Sequence, residues 1–188
     1  VYISYSFDDY YGSGARAVKY TTNALGSWQS TTVWNIAAAV YTGTSIALDA
    51  TKVYISYDVM YGTWGGLSYA DLSKIGGGNI YRVENATYKY YYPSLALDSS
   101  SNVHISYYDS DTSELKYYTN SYYPPNSVVI DSAGTVGQYS SIKVDKNNKI
   151  HISYYDSSNG NLKYATTAAV DTAPPVGSFS INNNALYT

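Results

Sequence analysis

An internal repeat constrains this chain more than any other feature. Val1-Tyr2-Ile3-Ser4-Tyr5 recurs as Val53-Tyr54-Ile55-Ser56-Tyr57, as Val103-His104-Ile105-Ser106-Tyr107 and as Ile150-His151-Ile152-Ser153-Tyr154, with starts 52, 50 and 47 residues apart. A repeat of this period is read before local propensity, because each copy is one supersecondary unit that buries its apolar faces against its neighbours. Two companion runs keep step with it. Ser45-Ile46-Ala47-Leu48-Asp49, Ser94-Leu95-Ala96-Leu97-Asp98 and Ser141-Ile142-Lys143-Val144-Asp145 precede the later copies. Val18-Lys19-Tyr20, Leu67-Ser68-Tyr69, Leu115-Lys116-Tyr117 and Leu162-Lys163-Tyr164 follow each one.

Every run alternates large apolar with small or polar residues, the period of a β-strand, and turn formers such as Lys146-Asn147-Asn148-Lys149 fill the gaps. No stretch has a helical period. A fourth, less regular run closes the unit at residues 30–36, 79–85 and 126–132. Four antiparallel strands joined by short hairpins and repeated about every 48 residues predict an all-β chain of β-propeller blades. The count is three, four, four and three strands, lacking a first strand before Val1 and a last one after Thr167. The expectation is an arc of a larger propeller, or a ring closed by another chain, with open edges able to self-associate. Residues 1–170 form the repeat region; 171–188, opening on Asp171-Thr172-Ala173-Pro174-Pro175, read as a linker and a further strand.

Composition enters where it excludes. With 45% apolar residues the chain can build a core, and no cysteine is present for a disulfide or thiolate metal site. No apolar run approaches the ~20 residues of a membrane span, and a net charge of −3 without a basic stripe argues against nucleic acid. The sequence opens mid-pattern at Val1, so the lack of a leader says nothing about compartment. Most of the 26 tyrosines recur once per repeat, where aromatic bulk fills the wedge between blades, and packing is the preferred reading for Tyr5, Tyr57, Tyr107 and Tyr154.

The unit Ser94 to Asp109, with Leu115-Lys116-Tyr117, resembles the repeats of large bacterial extracellular propeller proteins, distant members of the sialidase-like, BNR-type superfamily. The run Thr172 to Asn182 resembles the opening strand of bacterial Ig-like repeats. These resemblances imply export and an extracellular or cell-surface location. The chain departs from the sialidase pattern. No blade carries the Ser-x-Asp-x-Gly-x-Thr-Trp box, and Arg16 and Arg82 are too few for a three-arginine carboxylate clamp.

In a propeller, the loops joining the second strand to the third, and the fourth to the next blade's first, emerge on one face. That face would collect Tyr41, Tyr90, Tyr92 and Tyr139 from one loop class, and Trp64, Tyr108, Asp109, Tyr155 and Asp156 from the other. Aromatic plates beside carboxylates stack sugar rings and accept their hydroxyl protons. Asp109 and Asp156 also suit simple Asx turns. Asp109-Ser110-Asp111 and Asp156 to Gly160 offer oxygen ligands without EF-hand spacing, so no cofactor is expected and calcium is the one alternative. His104 and His151 occupy the repeat position of Tyr2 and Tyr54, which points to packing. The sequence therefore predicts a non-enzymatic module binding a glycan or surface protein. A structural subunit of an extracellular assembly and a sialidase-like glycoside hydrolase fragment are the alternatives.

Overall fold

The computed structural model describes residues 1–8, 16–24, 26–35, 43–61, 64–73, 77–84, 90–167 and 179–181. Their regular elements are β-strands: β1 (Tyr2–Asp8), β2 (Arg16–Thr22), β3 (Gln29–Asn35), β4 (Thr44–Leu48), β5 (Lys52–Tyr61), β6 (Trp64–Ser73), β7 (Gly78–Glu84), β8 (Tyr90–Leu97), β9 (Val103–Asp109), β10 (Glu114–Thr119), β11 (Asn126–Asp131), β12 (Val136–Val144), β13 (Ile150–Asp156), β14 (Asn161–Thr167) and β15 (Phe179–Ile181). They form four meandering antiparallel sheets, β1-β2-β3, β4 to β7, β8 to β11 and β12 to β15. This is the propeller-blade architecture that the repeat predicts. No helix of the described residues is long and apolar enough to cross a membrane. Two compact units divide the chain, Val1–Pro93 and Ser94–Thr188.

One strand alters the expected count. Phe179–Ile181, the run read as opening a further repeat, pairs antiparallel with β14. The last sheet therefore has four strands where the sequence suggested three.

The recurring Leu-Asp or Val-Asp pair explains why the first hairpin of each later blade forms. Asp49 accepts backbone N–H groups from Thr51 and Lys52, both at 2.7 Å. Asp98 accepts those of Ser100 and Asn102, and Asp145 those of Asn147 and Lys149, all at 2.8 Å. Each carboxylate thus satisfies donors that a tight turn leaves unpaired. Burial works against the charge on Asp98, but its Asn102 and Ser100 donors outweigh that and hold the carboxyl below its ordinary range.

The two faces of a blade follow the alternation. In the first unit, Val18 and Tyr20 of one sheet pack with Val53, Ile55, Tyr57 and Ala70 of the next. In the second, Leu115 and Tyr117 pack with Ile150, Ile152, Tyr154 and Ala165. The same repeat positions meet in both cores. A hydroxyl pair accompanies each, Ser4 with Thr44 at 3.0 Å and Ser106 with Ser140 at 2.9 Å. Burying the leucine and tyrosine of such a joint is worth on the order of 2–3 kcal/mol per side chain.

Candidate functional site

In the second unit, one end of the sheets gathers the β9–β10 turn, the β11–β12 connection and the β13–β14 turn. This is the loop class from which the sequence predicted a ligand. The loops are tied to one another: Ser157 N–H donates to the Thr135 carbonyl at 3.0 Å, Thr135 N–H to Ser158 Oγ at 2.8 Å, and Val136 N–H to the Ser113 carbonyl at 3.1 Å. Two glycines allow the approach. Gly134 (φ 102°) would place a Cβ 2.7 Å from Ser158 Oγ, and Gly137 (φ 104°) would place one 2.7 Å from Leu115 Cα. The second clash is against backbone, so a side chain at 137 would push β12 off β10.

Three buried carboxylates lie at this end, and all are neutralised. Asp109 meets Lys116 Nζ at 2.8 Å and accepts the N–H groups of Asp111 and Thr112. Asp156 accepts both N–H and Nδ2 of Asn159 and stands 3.4 Å from Lys163 Nζ. Asp131 accepts Lys163 Nζ and Tyr154 OH, each at 2.8 Å, and the Ala133 N–H at 2.9 Å. The Asn159 amide, helped by Lys163, keeps the Asp156 carboxyl below its usual range. Burial opposes charge on Asp131, yet the Lys163 ammonium and the other donors hold its carboxyl low as well. Burial alone would also lower Lys163, but Asp131 and Asp156 raise it. For Tyr154, burial and then the bond to Asp131 push the phenol well up, so it stays a donor. A glycosidic general acid needs a raised carboxyl pKa. Asp131 and Asp156 are biased the other way: Asp131 is a strut to Tyr154 and Lys163 of the next blade, and Asp156 closes a turn within its own.

The predicted ligand residues fall into distinct settings. Tyr90 and Tyr108 are buried, and Asp109 and Asp156 are turn-forming, ion-paired groups. Trp64 opens β6. Tyr41 lies outside the described residues. Tyr92 is half-buried with its ring tilted against Tyr91, centroids 6.0 Å apart, and Tyr155 is more open. Tyr139 is 65% exposed. Tyr92 and Tyr139 share a further property: both have left-handed backbone, φ 55° and 54°, and both stand two residues before the serine that begins the aligned inner-strand motif. At Tyr139 the register of β12 against β13 shifts between Gln138 and Ser141. Left-handed, non-glycine residues in bulges cost of order 1–3 kcal/mol and cluster at functional sites.

Sequence reading missed Asp131, Lys116 and Lys163. The recurring lysine of Leu-Lys-Tyr was the available signal, since alternation puts it on the face of the motif tyrosine. In the first unit, Asp58 is fully buried and accepts the Gly43 N–H at 2.7 Å. Arg82 is exposed, on the outer strand β7. Among the described residues, no group of three or more His, Asp or Glu side chains is gathered as a metal site.

No family description and no curated protein matches the sequence. Among solved structures, the chain is similar to an α-L-arabinanase of Penicillium chrysogenum complexed with arabinobiose, with a TM-score of 0.64 and 9% identity. The match covers 96% of this chain and 58% of the arabinanase, so the chain spans less than two thirds of that protein's length. At this identity the likeness establishes the β-propeller fold. It also corrects one expectation. A protein with this fold is an enzyme, so the fold gives no ground for the expectation that the chain is non-enzymatic.

Proposed function

We propose that this chain supplies blades to a carbohydrate-active propeller, with a glycan bound at the loop end and glycoside hydrolysis as the reaction class of the whole protein. The observation that carries the reading is Tyr139: an open aromatic ring on a left-handed bulge, with Tyr92 at the matching repeat position. Aromatic plates of this kind stack on the apolar faces of sugars. The arabinanase neighbour supports the same class of ligand. Tyr155 is the next open ring at this end, and the sequence resemblance supports an exported, surface-facing setting.

The chemistry limits which carboxylates could take part. Hydrolysis needs one carboxyl held neutral as acid and one ionised as base or nucleophile. Asp131 and Asp156 are held ionised by lysine and N–H donors, so they shape the end and do not protonate a leaving group. The test is binding and cleavage across arabino-, sialo- and other oligosaccharides, with Tyr139→Ala and Tyr92→Ala beside the parent chain. Loss of one stacking ring, about 1.4 kcal/mol, weakens binding about tenfold at Tyr139 with the fold unchanged. If no glycan is bound or cleaved, the reading fails.

A further inference from the structure

Asn159-Gly160 is the only asparagine–glycine pair among the 188 residues. It forms the second half of the β13–β14 turn, enclosed by the ladder pair Asp156↔Asn161. Gly160 has left-handed backbone, φ 69°, and a Cβ placed there would meet nothing within 4 Å, so the turn is open on that side. Both residues are exposed. That exposure belongs to the turn itself. In the third sheet, which another blade follows, the matching Thr112 is exposed too, and the matching Ser113 has the same left-handed backbone, φ 61°.

The turn holds two things in place. Asn159 donates its N–H to Asp156 at 3.1 Å and its Nδ2 amide at 2.9 Å. The two serines just before it clasp the β11–β12 connection. Ser157 N–H and Oγ donate to the Thr135 carbonyl at 3.0 and 3.1 Å, and Ser158 Oγ accepts the Thr135 N–H at 2.8 Å. An asparagine side chain reacts most readily with the backbone when glycine follows, because the glycine nitrogen carries no shielding Cβ and its φ is free to adjust.

We infer that Asn159 is a spontaneous deamidation site whose conversion unfastens the clasp between the β13–β14 turn and Thr135. The Gly160 amide nitrogen gives its proton to solvent base and attacks Asn159 Cγ. The new N–Cγ bond closes a cyclic succinimide, while the Cγ–Nδ2 bond breaks and ammonia leaves. Water then opens the ring at either carbonyl, giving an aspartate or an isoaspartate, with no oxidant or reductant consumed. The aspartate product loses the Nδ2 donor and sets a second carboxylate against Asp156, beside Lys163. The isoaspartate product also adds a methylene to the main chain between Asp156 and Asn161, which shifts the serines off Thr135. This goes beyond the glycan reading, and its test needs no glycan.

The 188-residue chain is aged in mildly alkaline buffer, which favours loss of the Gly160 amide proton, and followed by peptide mass mapping and hydrogen exchange. Asn159 is expected to convert before any other asparagine, and the peptide that carries it gains one negative charge. In the converted fraction the Thr135 and Ser157 N–H groups lose protection. Asn159→Thr, which borrows the residue of the third sheet's turn, should gain no charge there and keep that protection throughout. Conversion of another asparagine first, or at the same rate, overturns the inference. So does a converted chain in which Thr135 and Ser157 stay as protected as before.

Discussion

The third and last sheets contain the same three-residue cluster in two surroundings. In the third, His104 Nδ1 meets Tyr117 OH at 2.5 Å, and Nε2 lies 3.4 Å from Asp98. In the last, His151 meets Tyr164 at 2.5 Å, and Nε2 lies 3.6 Å from Asp145. The rings stack at 5.9 and 6.0 Å. Geometry is thus a property of the repeat. Burial is not: the His104 side chain is 7% exposed and that of His151 32%. Burial pushes the His104 imidazole down, against the pull of Asp98, so it is the neutral form that packs. Identical local structure therefore sits in different surroundings, set by whatever covers it.

The sharpest way to break this comparison is to delete equivalent side chains. Leu115→Ala, in a fully buried site, should cost about 3 kcal/mol in urea unfolding. Leu162→Ala, at the matching exposed position of an unassembled chain, should cost under about 0.5 kcal/mol. Equal losses would mean that the last face is covered in solution. Next in size is Lys163→Met, which leaves buried Asp131 and Asp156 without their shared cation and should cost about 2 kcal/mol at neutral pH. Because both carboxyls are held below their ordinary value of 3.8, their contribution is present above that pH and is lost as pH falls through the lower, folded values. The Lys163→Met chain should therefore lose less stability than the parent on acidification below about pH 4.

The smallest effect belongs to His104. A folded-state pKa below 6.5 means that His104 contributes stability above pH 6.5, which is lost as pH drops toward its folded value. The slope cannot exceed about 1.4 kcal/mol per pH unit for one proton. His104→Gln should flatten this part of the curve. Unfolding midpoints measured between pH 7 and pH 5 check the outcome.

The strands were legible because alternation and turn chemistry are local. Ile-Ser-Tyr writes one face of a strand, and the aspartate before each turn writes its closure, as Asp98 and Asp145 show. The site was less legible because its links are distant: Asp131 and Lys163 are 32 residues apart and belong to neighbouring blades. Tyr108 and Tyr155 could not be told apart by sequence, since both follow Ser-Tyr and only the next blade decides which is buried. The strand at β15 was legible from its pattern, but its partner was not, since the pairing with β14 joins segments on either side of the Pro-Pro run.

The aspartate-closed hairpins carry a consequence in time. Asp49, Asp98 and Asp145 each bind donors within four residues, so these turns need no distant partner to form. Hairpins of this kind close in about 1–10 μs, ahead of the slower search for contacts between blades. A chain emerging from the ribosome would present them one by one, each already in register. The order of the repeats in the sequence then becomes the order in which the blades are built.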